Sequence, residues 1–358
     1  MHTYIHIPFC ESRCIYCDFT VRLNKYGGYE DYLSALSREI DSRFATIEAC
    51  DFPDGINTLY FGGGTPALVS ADNYQRLLKQ ISKYLPLSKS AEITIEANPT
   101  ALKNETARSK LLKQFQDYLM VGFNRISIGV QSFENPQLKA LSRIHSAEEA
   151  IAFIQLCQSV GWENISIDLM YAVPPYSTPE ESVQRWENTI ETAIDLNVQH
   201  ISAYGLKVEE NTPLARLSAL SEKKESSKVR HTAAQYNLPP DEVNVSLYEL
   251  ACQRLTAAGY IQYEFSNFAK PGYVSKHNLA YWDTKDVLAL GVSAHGYWKG
   301  QRYVNTADFE AYCENPLSQD SYHDSKNERI ENALIFGLRK LAGVNITDLE
   351  KKYHFDFW

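Results

Sequence analysis

The sequence predicts an α/β protein built on a partial (β/α)6 barrel of the TIM type, followed by a C-terminal α+β and helical extension. Short β-rich runs alternate with amphipathic helical stretches through the first 206 residues. Polar residues lie at the end of nearly every predicted strand. Repeated strand–helix–strand units predict a parallel sheet, and six units correspond to most of a barrel rather than to the eight-stranded form. A doubly wound open sheet is the alternative architecture.

The barrel elements follow one another without internal repeats of sequence. The predicted strands cover residues 3–9, 56–64, 91–99, 125–133, 164–174 and 200–208. The helical patterns between them cover residues 29–44, 72–84, 147–160 and 179–196. Because barrel chemistry gathers at the carboxyl ends of the strands, polar residues at those ends are the first candidates for function.

The rest of the chain predicts an extension with its own helices. Residues 217–230 are rich in Ser, Lys and Glu, which is typical of a solvated helix or linker. A helical pattern follows over about residues 240–258, and two more helices are predicted in residues 327–358, joined at residues 343–345. We therefore divide the chain into a barrel (1–216), an extension (217–310) and a small helical domain (311–358).

Composition excludes several classes of function. The 358 residues are 44% hydrophobic, enough for a sizeable core, and carry a net charge of -9. A nucleic-acid-binding protein is expected to show a basic excess instead. No apolar run approaches the roughly 20 residues that span a bilayer, and the first ten residues lack the features of a secretory signal. We expect a cytoplasmic protein with no nucleic-acid partner and no transmembrane segment.

Three of the seven cysteines lie together, as Cys10, Cys14 and Cys17, in the loop after the first predicted strand. Structural zinc sites usually combine two C-x-x-C pairs, and no second pair exists here. Three thiolates at this spacing suit a [4Fe–4S] cluster in which the protein binds three irons and leaves the fourth open. The alternative, three unconnected buried thiols, is disfavoured by their crowding into eight positions.

Several longer sequence motifs resemble those of a known protein superfamily. The stretch YIHIPFCESRCIYCDF resembles the cluster-binding loop of the radical S-adenosylmethionine superfamily. The words FGGGTP, IEANP, RISIGVQSF, DLMY, YEFSNFA and HNLAYW resemble the coproporphyrinogen III oxidase-like branch, in the same order and over nearly the whole chain. The resemblance implies a radical S-adenosylmethionine barrel, with the amino and carboxylate groups of S-adenosylmethionine chelating the open iron.

The same resemblance assigns residues to the S-adenosylmethionine site. Residues matching the first site are Tyr4, Gly63 and Glu96. Residues matching the rest of the cavity are Tyr16, Gly64, Thr65, Gln131, Arg143 and Asp168. Glycines at 62–64 would let the backbone approach the methionine amino group, where side chains would clash. For Gln131 and Arg143 a purely structural or surface role stays an open alternative.

Two functional groups share this branch, and Phe19 separates them. The porphyrinogen oxidase extends the cysteine motif to a fourth cysteine, at the position that Phe19 occupies here. Phe19 agrees instead with the haem chaperone group. This resemblance implies binding of haem and its transfer to acceptor proteins, and we expect these acceptors to be membrane respiratory components. It also implies an electron donor for the cluster. The alternatives are an oxidase-type radical enzyme of porphyrin biosynthesis and a non-catalytic relic. Whether S-adenosylmethionine is cleaved stays open.

The haem chaperone group also carries an H-N-x-x-Y-W motif, found here as HNLAYW. A neutral imidazole ligates haem iron, so His277 is the predicted haem ligand. We expect Asn278 to orient that ring, and Tyr281 and Trp282 to pack on the porphyrin. The alternative is a packed loop with no ligand role. His295, in SAHGYW, is the second candidate ligand.

The chain departs from the family pattern in two places. The stretch DLMYAVPPYS has Ala172, Pro175 and Tyr176 where the family has Gly, Gly and Gln, which predicts a different local loop. The chain stops at Trp358, inside what resembles a winged-helix-like segment of its relatives. We therefore expect a lost or truncated C-terminal segment.

Overall fold

A sheet of parallel strands forms the centre of the computed structural model, which describes residues 1–100, 104–222 and 234–357. The strands of the first half are β1 (His2–Ile7), β2 (Phe9–Cys10), β3 (Arg22–Leu23), β4 (Ile56–Gly63), β5 (Leu87–Ala97), β6 (Arg125–Gln131), β7 (Ile165–Tyr171) and β8 (His200–Gly205). The helices there are α1 (Tyr29–Phe44), α2 (Ala71–Ile81), α3 (Glu105–Val121), α4 (Asn135–Ala140), α5 (Ala147–Val160), α6 (Pro179–Asp195) and α7 (Pro213–Glu222).

The strand order confirms the partial barrel. Strands β1, β4, β5, β6, β7 and β8 lie side by side in chain order, each parallel to the next. A doubly wound sheet reverses its order at a switch point, and this order never reverses, so that alternative is wrong. Within the described ranges β1 and β8 do not pair with each other, because each pairs with a strand from later in the chain.

Local sequence explains why the predicted helices form. Helix α5 begins with a capping box, in which Ser146 accepts a hydrogen bond from the Glu149 amide and the Glu149 carboxylate accepts one from the Ser146 amide. It ends at Gly161, whose φ of 103° lies in the left-handed region that favours glycine. Helix α6 begins after Thr178, which caps it. These caps lie close to the predicted boundaries.

The second half of the chain extends the same sheet at both edges. Its elements are α8 (Asp241–Ala257), β9 (Ile261–Gln262), β10 (Asn267–Ala269), α9 (Lys276–Trp282), β11 (Val287–Leu290), β12 (His295–Trp298), β13 (Gln301–Asn305), α10 (Phe309–Glu314), β14 (Gln319–His323), α11 (Lys326–Gly337) and α12 (Ile346–Tyr353). Strand β11 adds parallel to β1, and β10 adds antiparallel to β8. The complete sheet has twelve strands.

The extension therefore contains both strands and helices, as predicted. Helix α7 begins the Ser-, Lys- and Glu-rich stretch, whose residues 223–230 lie outside the described part of the chain. Helices α11 and α12 are the two predicted C-terminal helices. The division of the chain at residues 216 and 310 stays a prediction. None of the helices in the described ranges is long and apolar enough to cross a membrane.

Alternation along the strands places the core outside the barrel and polar groups inside it. In β6, Ile126 and Ile128 belong to the apolar core that packs between the sheet and the helices. Arg125 and Ser127, at the intervening positions, line an internal cavity. Because side chains of a strand point alternately to its two faces, the sequence RISIGVQ of β6 contributes apolar side chains to the helix-facing core and polar side chains to the interior of the barrel.

Candidate functional site

One cavity of about 1280 Å³ combines the barrel interior with the cysteine loop. All of the residues predicted for the cluster and for S-adenosylmethionine line it, except Tyr4. His277, the predicted haem ligand, also lies outside the lining. The cavity contains polar side chains from β4 to β8, so five neighbouring strands contribute to it.

The cysteine loop begins at the end of β2 and lies over the carboxyl ends of the barrel strands. Cys10 is the last residue of β2, and the amide of Cys17 donates a hydrogen bond of 3.3 Å to the carbonyl of Cys14. Within the described ranges no three His, Cys, Asp or Glu side chains converge closely enough to hold a single metal ion. A cluster needs only one thiolate for each iron it binds through the protein, so three cysteines around one cavity fit a cluster better than zinc.

A chain of polar contacts, which we call the clamp, joins two of these cysteines. The hydroxyl of Thr65 lies 3.7 Å from Cys10 Sγ and accepts a hydrogen bond of 2.7 Å from Asn98 Nδ2. Asn98 Oδ1 accepts one of 2.6 Å from Arg143 Nη2, and Arg143 Nη1 lies 3.4 Å from Cys14 Sγ. Arg143 is therefore not a surface charge. The clamp stabilises the positions of Cys10 and Cys14, and its cation favours bound thiolates.

Burial also affects the thiols themselves. It raises the pKa of Cys10 to about 11, against the hydrogen bond from Thr65, and it raises the pKa of Cys17. Iron binds the thiolate form, so loading a cluster here must release protons from the loop. The donor set of the loop therefore fits an iron–sulfur cluster.

Protein packing requires glycine at the end of β4. A Cβ on Gly63 would lie 2.3 Å from the ring of His6, and Gly63 has a φ of 106°. The Gly63 amide donates a hydrogen bond of 2.9 Å to Glu96 Oε2, while Tyr60 donates one of 2.7 Å to Glu96 Oε1. The glycines thus bring β4 against β1 and orient Glu96 at the cavity wall. This reason is independent of the expected approach of a methionine group.

Glu96 and Asp168 are carboxyl groups inside the barrel. Burial raises the pKa of Glu96 to about 7, although the hydrogen bond from Tyr60 opposes the shift. Burial also raises the pKa of Asp168, which accepts a hydrogen bond of 3.5 Å from Ser127. Both carboxyl groups therefore hold a proton more readily than exposed carboxyl groups do, because burial disfavours their charged form.

Gln131 ends β6 in a strained conformation. Its φ of 72° is in the left-handed region, which is uncommon for residues other than glycine. Its Oε1 accepts a hydrogen bond of 3.0 Å from the hydroxyl of Tyr204 at the end of β8. Tyr16 lines the same cavity, and burial raises the pKa of its phenol. Backbone strain of this kind is concentrated at functional sites.

Tyr4 lies in β1, in a stack of rings outside the cavity lining. Its ring stacks on that of Tyr60 with a centroid distance of 6.1 Å, and its hydroxyl lies 3.1 Å from His6 Nδ1. Tyr60 itself lines the cavity. Tyr4 therefore supports the wall formed by Tyr60.

His277 lies in α9, below the amino ends of the strands. Its Nδ1 is 2.8 Å from the hydroxyl of Thr58, its ring stacks on Tyr60 at 4.9 Å, and its Nε2 has no hydrogen-bond partner. The residue is 2% exposed. Burial first, then the neighbouring charges of His2 and Arg125, lower its pKa to about 3, so the ring is neutral.

The rest of the HNLAYW word is arranged differently from the prediction. Thr58, and not Asn278, engages the histidine, because adjacent residues of a helix do not face each other. Asn278 lines the cavity. Tyr281 packs edge-on against the imidazole at 5.2 Å, while Trp282 lies 4.4 Å from the guanidinium of Arg339. His295 is exposed on β12.

Comparison with known proteins agrees with this geometry. Residues 4–186 match the Radical SAM superfamily. The chain is 35% identical to Heme chaperone HemW of Bacillus subtilis (strain 168), over 98% of this chain and 86% of that protein. It is 33% identical to Heme chaperone HemW of Lactococcus lactis, over 99% of this chain and 85% of the relative. The chain belongs to the radical SAM superfamily and, within it, to the family of these HemW proteins.

Other radical SAM proteins extend the comparison. Heme chaperone HemW of Escherichia coli (strain K12) is 37% identical over 82% of this chain and 69% of its own length. The solved structure of coproporphyrinogen III oxidase (HemN) from Escherichia coli superimposes with a TM-score of 0.77 and 21% identity, covering 99% of this chain and 79% of that one. This second likeness establishes the shared fold. Membership of the superfamily implies an iron–sulfur cluster and S-adenosylmethionine.

Sequence reasoning missed three residues that the fold brings into the site. Asn98 connects the two ends of the clamp, Thr58 engages His277, and Arg125 lines the cavity. Asn98 had a signal, since it follows Glu96 closely in the word IEANP at a strand end. Thr58 and Arg125 lie toward the amino ends of their strands, where barrel residues are usually read as structural.

Proposed function

We propose that this protein is a haem chaperone, which binds haem and passes it to haem-accepting proteins. The observation that carries the proposal is the imidazole of His277. It is neutral, its Nδ1 is engaged by Thr58, and its Nε2 is without a partner. In the tautomer whose Nδ1 carries the proton and donates it to Thr58, the lone pair of Nε2 is free to bind iron. The HemW relatives, which are named heme chaperones, support the same function.

Phe19 favours the chaperone over the porphyrinogen oxidase. It occupies the position of the oxidase's fourth cysteine, is 57% exposed and lines the cavity. A phenyl ring cannot bind iron, whereas it offers apolar area to a flat aromatic ligand. The likeness to the solved oxidase concerns the fold and carries no argument about activity.

The cluster belongs to the proposal as a [4Fe–4S] group bound by Cys10, Cys14 and Cys17. With an electron from a donor, S-adenosylmethionine bound at such a cluster would supply a 5′-deoxyadenosyl radical and leave methionine. Arg143 and Thr65 hold two of the cysteine side chains, and Glu96 offers a carboxyl group at the cavity wall. Gly64, Gln131 and Asp168 line the remaining space in which S-adenosylmethionine would lie.

Binding of haem at His277 requires a local rearrangement. Tyr60 covers one face of the imidazole and lines the cavity on its other side. Tyr281 packs against the ring edge-on. Because the Nε2 lone pair lies in the plane of the imidazole and Tyr60 covers a face of that ring, a haem from the cavity reaches Nε2 when Tyr60 moves aside and the imidazole turns toward the opening. We expect Tyr60→Ala to accelerate haem binding without removing the iron ligand.

A spectroscopic haem titration of the reconstituted protein tests the proposal. His277→Ala should weaken binding and shift the Soret band while leaving the iron and sulfide content unchanged. His295→Ala is the matched control, since His295 is exposed on β12 and should bind haem like the wild type. Rescue of a strain that lacks the porphyrinogen oxidase would contradict a chaperone without oxidase activity.

The acceptors of haem in this proposal are membrane respiratory proteins, and the compartment is the cytoplasm. The acidic balance of the chain, with 44 Asp and Glu against 35 Lys and Arg, is compatible with both expectations. Pull-down of membrane proteins by the haem-loaded protein, compared with the haem-free form, is the experiment for the acceptor. Recovery of the same proteins with both forms would argue against haem-dependent delivery.

A further inference from the structure

Arg125 is a buried cation inside the barrel. It is the first residue of β6, it is 2% exposed, and it lines the cavity. Its register partner on β5 is Thr94, and the acidic residues two positions to either side, Glu92 and Glu96, lie on the same face of that strand. An arginine at such a position is unusual because burying a charge is unfavourable unless another group pairs with it.

No protein group in the described ranges pairs with Arg125. Its Nε has no partner, and the side chain makes no hydrogen bond or ion pair with any described residue. The carboxyl groups of Glu96 and Asp168 are attracted by the charge of Arg125, but their hydrogen bonds are to other groups, Glu96 to Tyr60 and Gly63, and Asp168 to Ser127. The carboxylate of Glu92 accepts hydrogen bonds from the amides of Lys276 and His277. The guanidinium is therefore available to a ligand in the cavity.

Arg125 and Arg143 lie at different levels of the same cavity. Arg143 donates a hydrogen bond of 2.6 Å to the carbonyl of Gly129 and contacts Cys14. Gly129 is four residues beyond Arg125 along β6, which corresponds to roughly 13 Å of strand. Arg125 is the arginine closer to His277, because its charge is among the causes that lower the pKa of that histidine, after burial and the charge of His2.

The size of the cavity allows more than one ligand. Pockets that enclose a drug-sized molecule usually measure about 300–1,000 Å³, and this cavity measures about 1280 Å³. S-adenosylmethionine at the cysteine loop would leave space around Arg125. Ser127 and Ser202 line the cavity and offer hydroxyl groups there.

We propose that Arg125 forms a carboxylate-binding subsite at the floor of the cavity and that it pairs with a propionate side chain of haem. Guanidinium and carboxylate groups form two parallel hydrogen bonds, which no lysine reproduces. The inference rests on the proposed function, since it assigns a second contact to the haem that His277 binds. Burial raises the pKa values of Glu96 and Asp168, which weakens their competition for Arg125 and their repulsion of the propionate.

The test compares haem with haem dimethyl ester, in which both propionates are uncharged. The wild-type protein should bind haem roughly tenfold to a hundredfold more tightly than the ester, as expected for a charged hydrogen-bonded pair. Arg125→Gln should bind the two ligands with nearly equal affinity. Arg254→Gln, which changes a half-exposed arginine of α8 outside the cavity, should keep the wild-type ratio. A merely structural Arg125 would weaken both ligands alike and leave the ratio unchanged.

The outcomes separate this inference from the proposed function. If the wild type binds haem and its ester equally, the proposed pairing of Arg125 with a propionate is wrong and the chaperone proposal stands. This comparison uses the wild-type protein alone, so it does not depend on the folding of a variant. If the wild type binds neither, both are wrong. S-adenosylmethionine also carries a carboxylate that could pair with Arg125, so its binding to the wild type and to Arg125→Gln is measured by calorimetry. Loss of its binding in Arg125→Gln, with the haem-to-ester ratio kept, would overturn the propionate assignment.

Discussion

Replacing His277 with glutamine should remove part of the protein's sensitivity to mild acid. The imidazole is 2% exposed, and burial lowers its pKa to about 3. In the unfolded chain a histidine binds a proton below about pH 6.5. Between these values the unfolded state gains free energy from proton binding and the folded state does not. The stability contributed by the neutral ring is therefore present above pH 6.5 and is lost as the pH falls from 6.5 toward 3.

The magnitude follows from the interval between pH 6.5 and the pH of the experiment. At about 1.4 kcal/mol for each pH unit, protonation of His277 in the unfolded chain should by itself lower the free energy of unfolding by about 2 kcal/mol at pH 5. Urea unfolding at pH 7 and pH 5 measures it. We expect His277→Gln to lose about 2 kcal/mol less than the wild type between these pH values. The exposed His323 supplies a control variant, His323→Gln, with wild-type behaviour. Equal losses in the wild type and His277→Gln would refute the buried, neutral imidazole.

Other predictions concern the cysteine loop, the clamp and the departure from the family pattern. Cys14→Ala should lose the cluster, measured as iron content and charge-transfer absorption, whereas Cys157→Ala should keep it; a full cluster in Cys14→Ala would contradict the loop assignment. Asn98→Ala should lower the free energy of unfolding by about 2 kcal/mol and speed iron loss to a chelator, and unchanged iron loss would show that the clamp does not hold the loop. Ala172 has a φ of 60°, so Ala172→Gly should stabilise the protein by about 0.5–1 kcal/mol in urea unfolding, and destabilisation would disprove backbone strain there. Phe19→Cys alone should not produce protoporphyrinogen in an oxidase assay, and product formation would show that the cavity already suits the oxidase reaction.

Much of the barrel could be predicted because its signals are local. The run from Arg125 to Gln131 alternates inward and outward residues, and the cap of α5 at Ser146 is visible in the sequence. The strands added at the sheet edges had no such signal. The pairing of His2 with Val287 depends on contacts between residues far apart in the chain. Helix α9 was equally hidden, since the word HNLAYW predicts no periodic helix by itself.

The site likewise contains residues that local sequence predicts and residues that only long-range contacts bring together. Cys10, Cys14 and Cys17 are recognisable because one short loop supplies all three. Thr58 and Arg125 acquire a role only when β4, β6 and α9 come together, which no local pattern announces. The glycines at 62–64 were predicted because a ligand would approach their backbone. In the fold, the ring of His6 already leaves no room for a side chain at Gly63. Close packing between strands and approach to a ligand favour the same residue, so sequence cannot separate them.

Transfer of haem to an acceptor tests the central claim most directly. The reconstituted protein is loaded with haem and mixed with membranes that contain haem-depleted respiratory complexes, and haem absorbance is followed in the soluble and membrane fractions. A haem chaperone should lose its haem to the membranes and restore their haem-dependent electron transfer, and the weakly loaded His277→Ala should restore much less. Haem that stays on the wild-type protein, or that transfers no faster than free haem does, would contradict the account.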